Sequence, residues 1–248
     1  MNPFTSLRHA VLQDEEMDAL DLPDGRYNQV LTDLSRVNRI TMAARPTMAF
    51  LRKIMRIRGG DATPLRLLDV GFGHGDMLRT IAQTAEKNGW PVELVGIDLN
   101  PRSAEIAREA TPSRYDIQWL TGDYQSLSQV ATGQNWGVII CSLVAHHMTP
   151  GQRCEFLNFM ESEAKAGWFI NDLHRKRLPF LGYPWLATLL LVDPIVRRDG
   201  QLSIARSFRA DEWRSMLNAA TITAAHVRRY FPWRLCVERM HCGKTVGQ

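Results

Sequence analysis

The 4 cysteines of this 248-residue chain, Cys141, Cys154, Cys236 and Cys242, include no CxxC pair. Neither a zinc ribbon nor a disulfide framework is therefore expected, and a reducing cytoplasm is the natural compartment. The chain also lacks a run of about 18 apolar residues, and its opening MNPFTSLRHAVLQDEEMDAL turns acidic where a signal peptide needs an apolar core. It reads as neither membrane-spanning nor secreted. Repeats and low-complexity tracts are missing, which excludes fibrous and solenoid architectures. A strong charge excess is missing too: 30 Lys and Arg against 26 Asp and Glu leave +4, below the density of a dedicated nucleic-acid binder. What is present is 45% hydrophobic content, enough to bury a large core as one domain or a domain with an appendage.

From Asp14 to about Arg58 the sequence reads as helical, Val30, Leu31, Leu34, Val37 and Ile40 forming an amphipathic stripe and Pro46 marking a break or the first turn of a second helix. Residues 1–60 are expected to form a helical cap, and residues 61–248 the main domain. Within it, apolar runs too short for helices alternate with helical stretches. The strands are LRLLDVG, PVELVGID, YDIQWL, WGVIICSLV and GWFIND, with helices at Asp76–Asn88, Pro101–Ala110 and Pro150–Lys165 between them. A helix from Asp211 to Ala219 follows, then TAAHVRRYF and WRLCVERMH as two strands joined at Pro232. Alternation of this kind needs crossover connections, so the fold is expected to be α/β: a doubly wound, mainly parallel seven-stranded sheet with helices on both faces. The pattern fails at about 173–207, where Leu178 to Val196 is almost wholly apolar but interrupted by Pro179, Gly182, Pro184 and Pro194. This insertion after the fifth strand reads as an apolar lid carrying Phe180, Tyr183, Trp185, Leu186, Leu189, Leu190 and Leu191.

The strongest local signal is Asp69-Val70-Gly71-Phe72-Gly73-His74-Gly75-Asp76, a strand running into GxGxG and then a helix. Glycines allow a tight turn and close approach to a ligand, and the helix start offers unpaired N–H donors. The dinucleotide fingerprint GxGxxG would need glycine at position 76, where Asp76 would oppose a pyrophosphate. Asp98 ends the second strand, where a carboxylate can accept hydrogen bonds from ribose hydroxyls.

On LLDVGFGHGD, VGIDLN, TGDYQSL and IICSLVAHHM, the sequence resembles the class I S-adenosylmethionine-dependent methyltransferases, strongly from about Leu65 to Asn171. The resemblance implies S-adenosylmethionine as cofactor. It places the glycine loop, Gly71, Gly73 and Gly75, against the methionine part, Asp98 on the ribose and Asp123 on the adenine amine. Leu99 and Tyr124 would wall the adenine slot, and Ser142 would close the site at the end of the fourth strand. The cofactor carries no phosphate, so Asp69 and Asp76 can complement its ammonium or sulfonium charge.

The segment after the fourth strand holds no Asn/Asp-Pro-Pro-Tyr and no Pro-Cys pair, which argues against a nucleic-acid substrate. Its His146 takes the place of the general base in plant-type small-molecule O-methyltransferases, with His147 where that family has Asp. A His-His pair also occurs in quinone C-methylating enzymes. His174, after the fifth strand, borders the expected acceptor cavity. No metal is expected, because adjacent histidines lack ligand spacing and no carboxylate cluster accompanies them in the sequence. The resulting expectation is a cytoplasmic methyltransferase acting on a small hydrophobic hydroxylated acceptor (phenol, hydroxyquinone or polyketide-like), by O-methylation in preference to C-methylation. A nicotinamide-dependent dehydrogenase and a non-catalytic cofactor-binding protein are the other readings; the oligomeric state is not legible.

Overall fold

The computed structural model describes residues 7–19, 22–130 and 136–241; Cys242 lies outside them. The short apolar runs become strands of one sheet. β1 (Leu65–Val70), β2 (Val92–Asp98), β3 (Ile117–Thr121), β4 (Trp136–Ser142) and β5 (Ala164–Leu173) run parallel. β6 (His226–Tyr230) and β7 (Arg234–Met240) form a hairpin at one edge, β7 being antiparallel to both β5 and β6. The order β3-β2-β1-β4-β5-β7-β6 is the expected mainly parallel seven-stranded sheet. The chain winds outward from β1 to β3 and then returns to place β4 on the other side of β1, leaving a crevice at the carboxyl ends where such sheets bind ligands.

Strand burial follows the two-residue period. In β1, Leu65 and Leu67 join a cluster with Phe50, Leu51, Ile54, Leu78 and Ile81, contributed by α2 (Arg45–Arg58) and α3 (Asp76–Asn88). Leu68 and Val70 join the opposite cluster with Phe156, Met160, Trp213 and Leu217, contributed by α6 (Pro150–Glu163) and α9 (Ala210–Ala219). Helices on both faces explain why the central strands are apolar at nearly every position rather than at alternate ones. Two further helices complete the crossovers, α4 (Pro101–Glu109) and α5 (Gln125–Val130), the latter not anticipated from sequence.

Two local expectations are corrected. The helix expected from Asp14 starts only at α1 (Asp24–Ile40), and residues 7–19 hold nothing longer than a 3₁₀ turn at Glu16–Asp18. Their backbone is claimed by α8 (Pro194–Arg206): the Glu16 and Met17 amides donate to the Asp199 carboxylate at 3.1 and 2.8 Å, and Arg206 donates to the Gln13 carbonyl at 2.8 Å. The break between α1 and α2 falls at 41–44, and Pro46 sits in the first turn of α2, as one of its two expected readings has it, where its missing N–H costs nothing. β4 stops at Ser142 rather than Val144, because Leu143 turns left-handed (φ 61°) and donates its N–H to the Asn171 carbonyl at 2.9 Å.

The apolar insertion is a pair of helices, α7 (Arg177–Leu189) and α8. Asp193 caps α8 by accepting from the Ile195 amide at 2.8 Å, with Pro194 in the first turn. The helices approach closely at Gly200, where a Cβ would lie 2.2 Å from Cζ of Tyr183. The Tyr183 hydroxyl donates to the Val196 carbonyl at 3.0 Å, so the ring is fixed. Among the described residues no helix is long and apolar enough to cross a membrane.

Candidate active site

A cavity of about 1080 Å³ opens at the carboxyl ends of β1, β2 and β4 and runs beneath α1, α7 and α8. Its cofactor end is built mainly by backbone. Gly71, Gly73 and Gly75 take φ of 74°, 53° and 79°, which glycine alone adopts without strain. Packing adds to this at two of them: a Cβ on Gly71 would lie 2.3 Å from Val144 Cγ2, and one on Gly75 would lie 2.6 Å from the Trp119 ring. The Gly73 amide donates to Asp98 Oδ2 at 2.9 Å, and the Asn100 amide donates to Asp98 Oδ1 at 2.9 Å. Each oxygen of the carboxylate thus accepts from a backbone amide.

Asp69, Gly71, Gly73, Asp98, Leu99, Asp123, Tyr124 and Ser142 all line this cavity. Gly75 does not; it packs on Trp119 and Ala107, so its part is to let α3 approach the sheet. Tyr124 is set by ring contacts with Phe156 and Phe159 at 4.9 and 4.8 Å. Asp123 accepts from the Gln125 amide at 2.9 Å and starts α5, while Leu99 is 73% exposed at the open side. Asp69 Oδ1 and Ser142 Oγ are buried without a hydrogen-bond partner among the described residues. Burial, with Asp76 and Asp98 adding to it, pushes the Asp69 carboxyl well above the usual range. A cationic ligand would relieve this and a pyrophosphate would aggravate it, so the residues fit a cofactor bearing ammonium and sulfonium charge.

The other end is built by side chains. The Ala145–His147 turn places His146 Nδ1 at 2.8 Å from Asp172 Oδ1, and the His146 amide donates to Asp172 Oδ2 at 3.2 Å. A carboxylate can only accept, so Nδ1 carries the proton and Nε2 points elsewhere. It points at Glu15: Oε1 lies 3.6 Å from His146 Nε2 and 3.7 Å from His147 Nε2, and accepts from Ser203 Oγ at 2.7 Å. The expectation that no carboxylate accompanies the histidines is therefore corrected; the fold supplies Asp172 from the neighbouring strand and Glu15 from residues 7–19. The ligand atoms of Glu15, His146 and His147 lie within 4.8 Å of one another, a grouping that could hold a cation.

Burial works against charge on His146, but Asp172 and Glu15 outweigh it and raise its pKa to about 9. The carboxyls of Glu15 and Asp172 are lowered against their own burial by the same histidines. His146 is almost fully enclosed, whereas the His147 side chain is 27% exposed, and both line the cavity. His174 also lines it, but burial and the nearby cations of Lys176, Arg229 and Arg209 depress its pKa to about 4. It is neutral near pH 7. Arg234, unremarked at this site in the sequence, is buried on the cavity wall with Nη1 lacking a partner among the described residues.

Residues 67–167, the part of the sheet that carries the glycine loop and the acid ending β2, match the family model described as "Methyltransferase domain". No curated protein matches the sequence. Among solved structures, the chain resembles the plantazolicin methyltransferase BamL, with TM-score 0.61, 14% identity and coverage of 82% of this chain and 71% of that one. It also resembles a SAM-dependent methyltransferase from Aquifex aeolicus (TM-score 0.57, 14% identity, 88% and 98% covered). A third likeness is to the magnesium protoporphyrin IX methyltransferase ChlM from Synechocystis PCC 6803 (TM-score 0.51, 14% identity, 91% and 91% covered). The BamL structure holds a desmethyl-plantazolicin analogue and SAH, and the ChlM structure holds SAH. At these identities the likenesses establish the fold.

Proposed function

We propose that the chain transfers the methyl group of S-adenosylmethionine to a small hydrophobic hydroxylated acceptor, a phenol or hydroxyquinone, on oxygen. The observation that carries this reading is that one cavity joins the glycine loop and Asp98 to the His146–Asp172–Glu15 cluster. Bound at the loop, the cofactor supplies an electrophilic methyl group on a sulfonium. Gly71 and Gly73 would lie against its methionine part, Asp69 and Ser142 would take its amino group, Asp98 its ribose hydroxyls and Tyr124 and Leu99 its adenine.

The chain's remaining task is to orient the acceptor and accept its proton. His147 is the imidazole the acceptor reaches and takes its proton, and the Glu15 carboxylate 3.7 Å from its Nε2 stabilises the charge that forms. His146, with its pKa raised to about 9, already carries its charge near neutral pH, and Asp172 and Glu15 hold that imidazolium in place beside the His147 ring. The apolar undersides of α7 and α8 exclude water. Arg234 offers a second possibility: an acceptor oxyanion held by its free Nη1 would expose the adjacent ring carbon, the outcome expected of a quinone C-methyltransferase.

Calorimetry with S-adenosylmethionine, its demethylated product and NADH tests the cofactor. Binding of the first two and not the third is expected; the reverse would remove the reading. Turnover of a phenol and hydroxyquinone panel, with the methylated position read by NMR, separates oxygen from carbon.

A further inference from the structure

Beyond the cavity, α7 presents solvent with side chains that soluble helices normally bury. Leu178, Leu181, Trp185 and Leu189 are 67, 57, 80 and 80% exposed. At about 100° per residue they fall on one stripe of the helix. The adjoining stripe, Pro179, Gly182, Tyr183 and Leu186, lines the cavity. Apolar surface therefore continues around α7 from the outside of the molecule into the acceptor site. A second element adds to the same rim: in the β6–β7 turn Phe231 is 71% exposed and Trp233 43%. This turn is tied to the start of the lid by the His174 amide, which donates to the Trp233 carbonyl at 2.9 Å, and Trp233 and Leu178 both line the cavity.

The exposed charged side chains of residues 176–189 are all basic. α7 contains no acidic residue, and exposed Lys176, Arg177 and Arg229 surround its beginning. Lys176 and Arg229 lie close enough to His174 to depress its pKa together with Arg209, which marks a positive local field. Leucines and tryptophans on one side with Lys and Arg beside them are what a helix lying in the headgroup layer of an anionic bilayer requires. A partner protein would bury the leucines equally well but gives no reason for the cationic border or for continuity with the cavity.

We propose that the rim formed by α7 and the β6–β7 turn docks on an anionic lipid bilayer, from which a lipophilic acceptor enters the cavity without crossing water. The docking stands on the exposed rim itself; only the route of the acceptor rests on the methyltransferase reading. Three exposed residues that do not line the cavity, Leu181, Trp185 and Leu189, can be changed together to serine without touching the site.

The experiment is cosedimentation of the full chain with vesicles of phosphatidylcholine alone and of phosphatidylcholine mixed with phosphatidylglycerol, at low and high salt. The expected result is binding to the mixed vesicles, weaker binding to the neutral ones or in salt, and loss of about tenfold or more in the triple serine variant. That variant should bind S-adenosylmethionine by calorimetry like the parent, which shows that it is folded. Absence of vesicle binding by the parent, or equal binding by the variant, overturns the proposal. So does an oligomer in lipid-free sedimentation velocity that the variant converts to monomer, since the face then belongs to a second copy of the chain. Vesicle binding without any binding of S-adenosylmethionine would instead remove the methyltransferase reading and leave the docking surface in place.

Discussion

The two ends of the cavity are made of different materials. Between Asp69 and Ser142 the wall is a strand–loop–helix turn whose shape is set by left-handed glycines and whose key acid, Asp98, is clamped by two amides. On the acceptor side the wall is assembled from side chains on a 3₁₀ turn, β5, α8 and the segment 7–19. The first end is preorganised by local geometry, whereas the second exists only when distant segments are docked. Changes at the glycine end should therefore act on cofactor binding, and changes at the assembled end on chemistry, acceptor binding or stability.

The largest effect is expected at the assembled end. Asp172→Asn keeps an acceptor for the His146 amide but removes the charge that holds the imidazolium. Turnover should fall by about 10²–10⁴, while S-adenosylmethionine binds as before by calorimetry. Equal losses of binding and turnover would show that the two ends are not separable. Asp98→Ala is the complementary change. If Asp98 accepts from the ribose hydroxyls as proposed, its removal should weaken cofactor binding by about a hundredfold, at about 1.5–3 kcal/mol per hydrogen bond to a charged group. A variant with unaltered affinity would place the ribose elsewhere.

This contrast also explains what could be read from the chain alone. Gly71, Gly73 and Asp98 were legible because strand, turn and acid are close in sequence and each imposes a backbone requirement that few residues meet. Gly75 was legible as a glycine but not in its role, since only the packing against Trp119 shows that it faces the sheet interior rather than the cavity. The sheet was legible from apolar runs and crossovers. Glu15 was not: it carries no local motif, and its hydrogen bond to Ser203 spans 188 residues. Asp172 stood in plain view after the fifth strand, but its pairing with His146 depends on the β4–β5 register, in which Ser142 lies opposite Asn171. The segment around Asp14 looked helical because periodicity reports local preference, while its amides are satisfied by Asp199 of α8.

A smaller effect should come from the lid. In Gly200→Ala the added methyl meets the Tyr183 ring, which cannot swing away without breaking its bond to the Val196 carbonyl. Separating α7 from α8 should cost about 1–3 kcal/mol, seen as a lower thermal midpoint. The acceptor KM should rise with cofactor affinity unchanged. A variant that loses cofactor affinity to the same degree would mean that the lid supports both ends.

The finest distinction between the ends lies in two histidines, each with a pKa lowered from 6.5 to about 4, His74 in the glycine loop and His174 under the lid. In both, the folded state holds the neutral ring while an unfolded chain would take up a proton below 6.5. The stability they contribute is therefore complete above that pH and is lost as pH falls through about 4. The causes differ. Beyond burial, His74 is depressed by Arg79, whose guanidinium also donates to Nδ1 at 2.7 Å, a short contact that salt screens little. Beyond burial, His174 is depressed by Lys176, Arg229 and Arg209; the first two are exposed, and salt weakens such fields within a Debye length of about 8–10 Å. Proton NMR titration of the ring C–H signals should show the His174 midpoint rising with added salt and the His74 midpoint nearly fixed. Equal response would mean that burial alone depresses both rings, and the positive field at the lid would then be weaker than its cations imply.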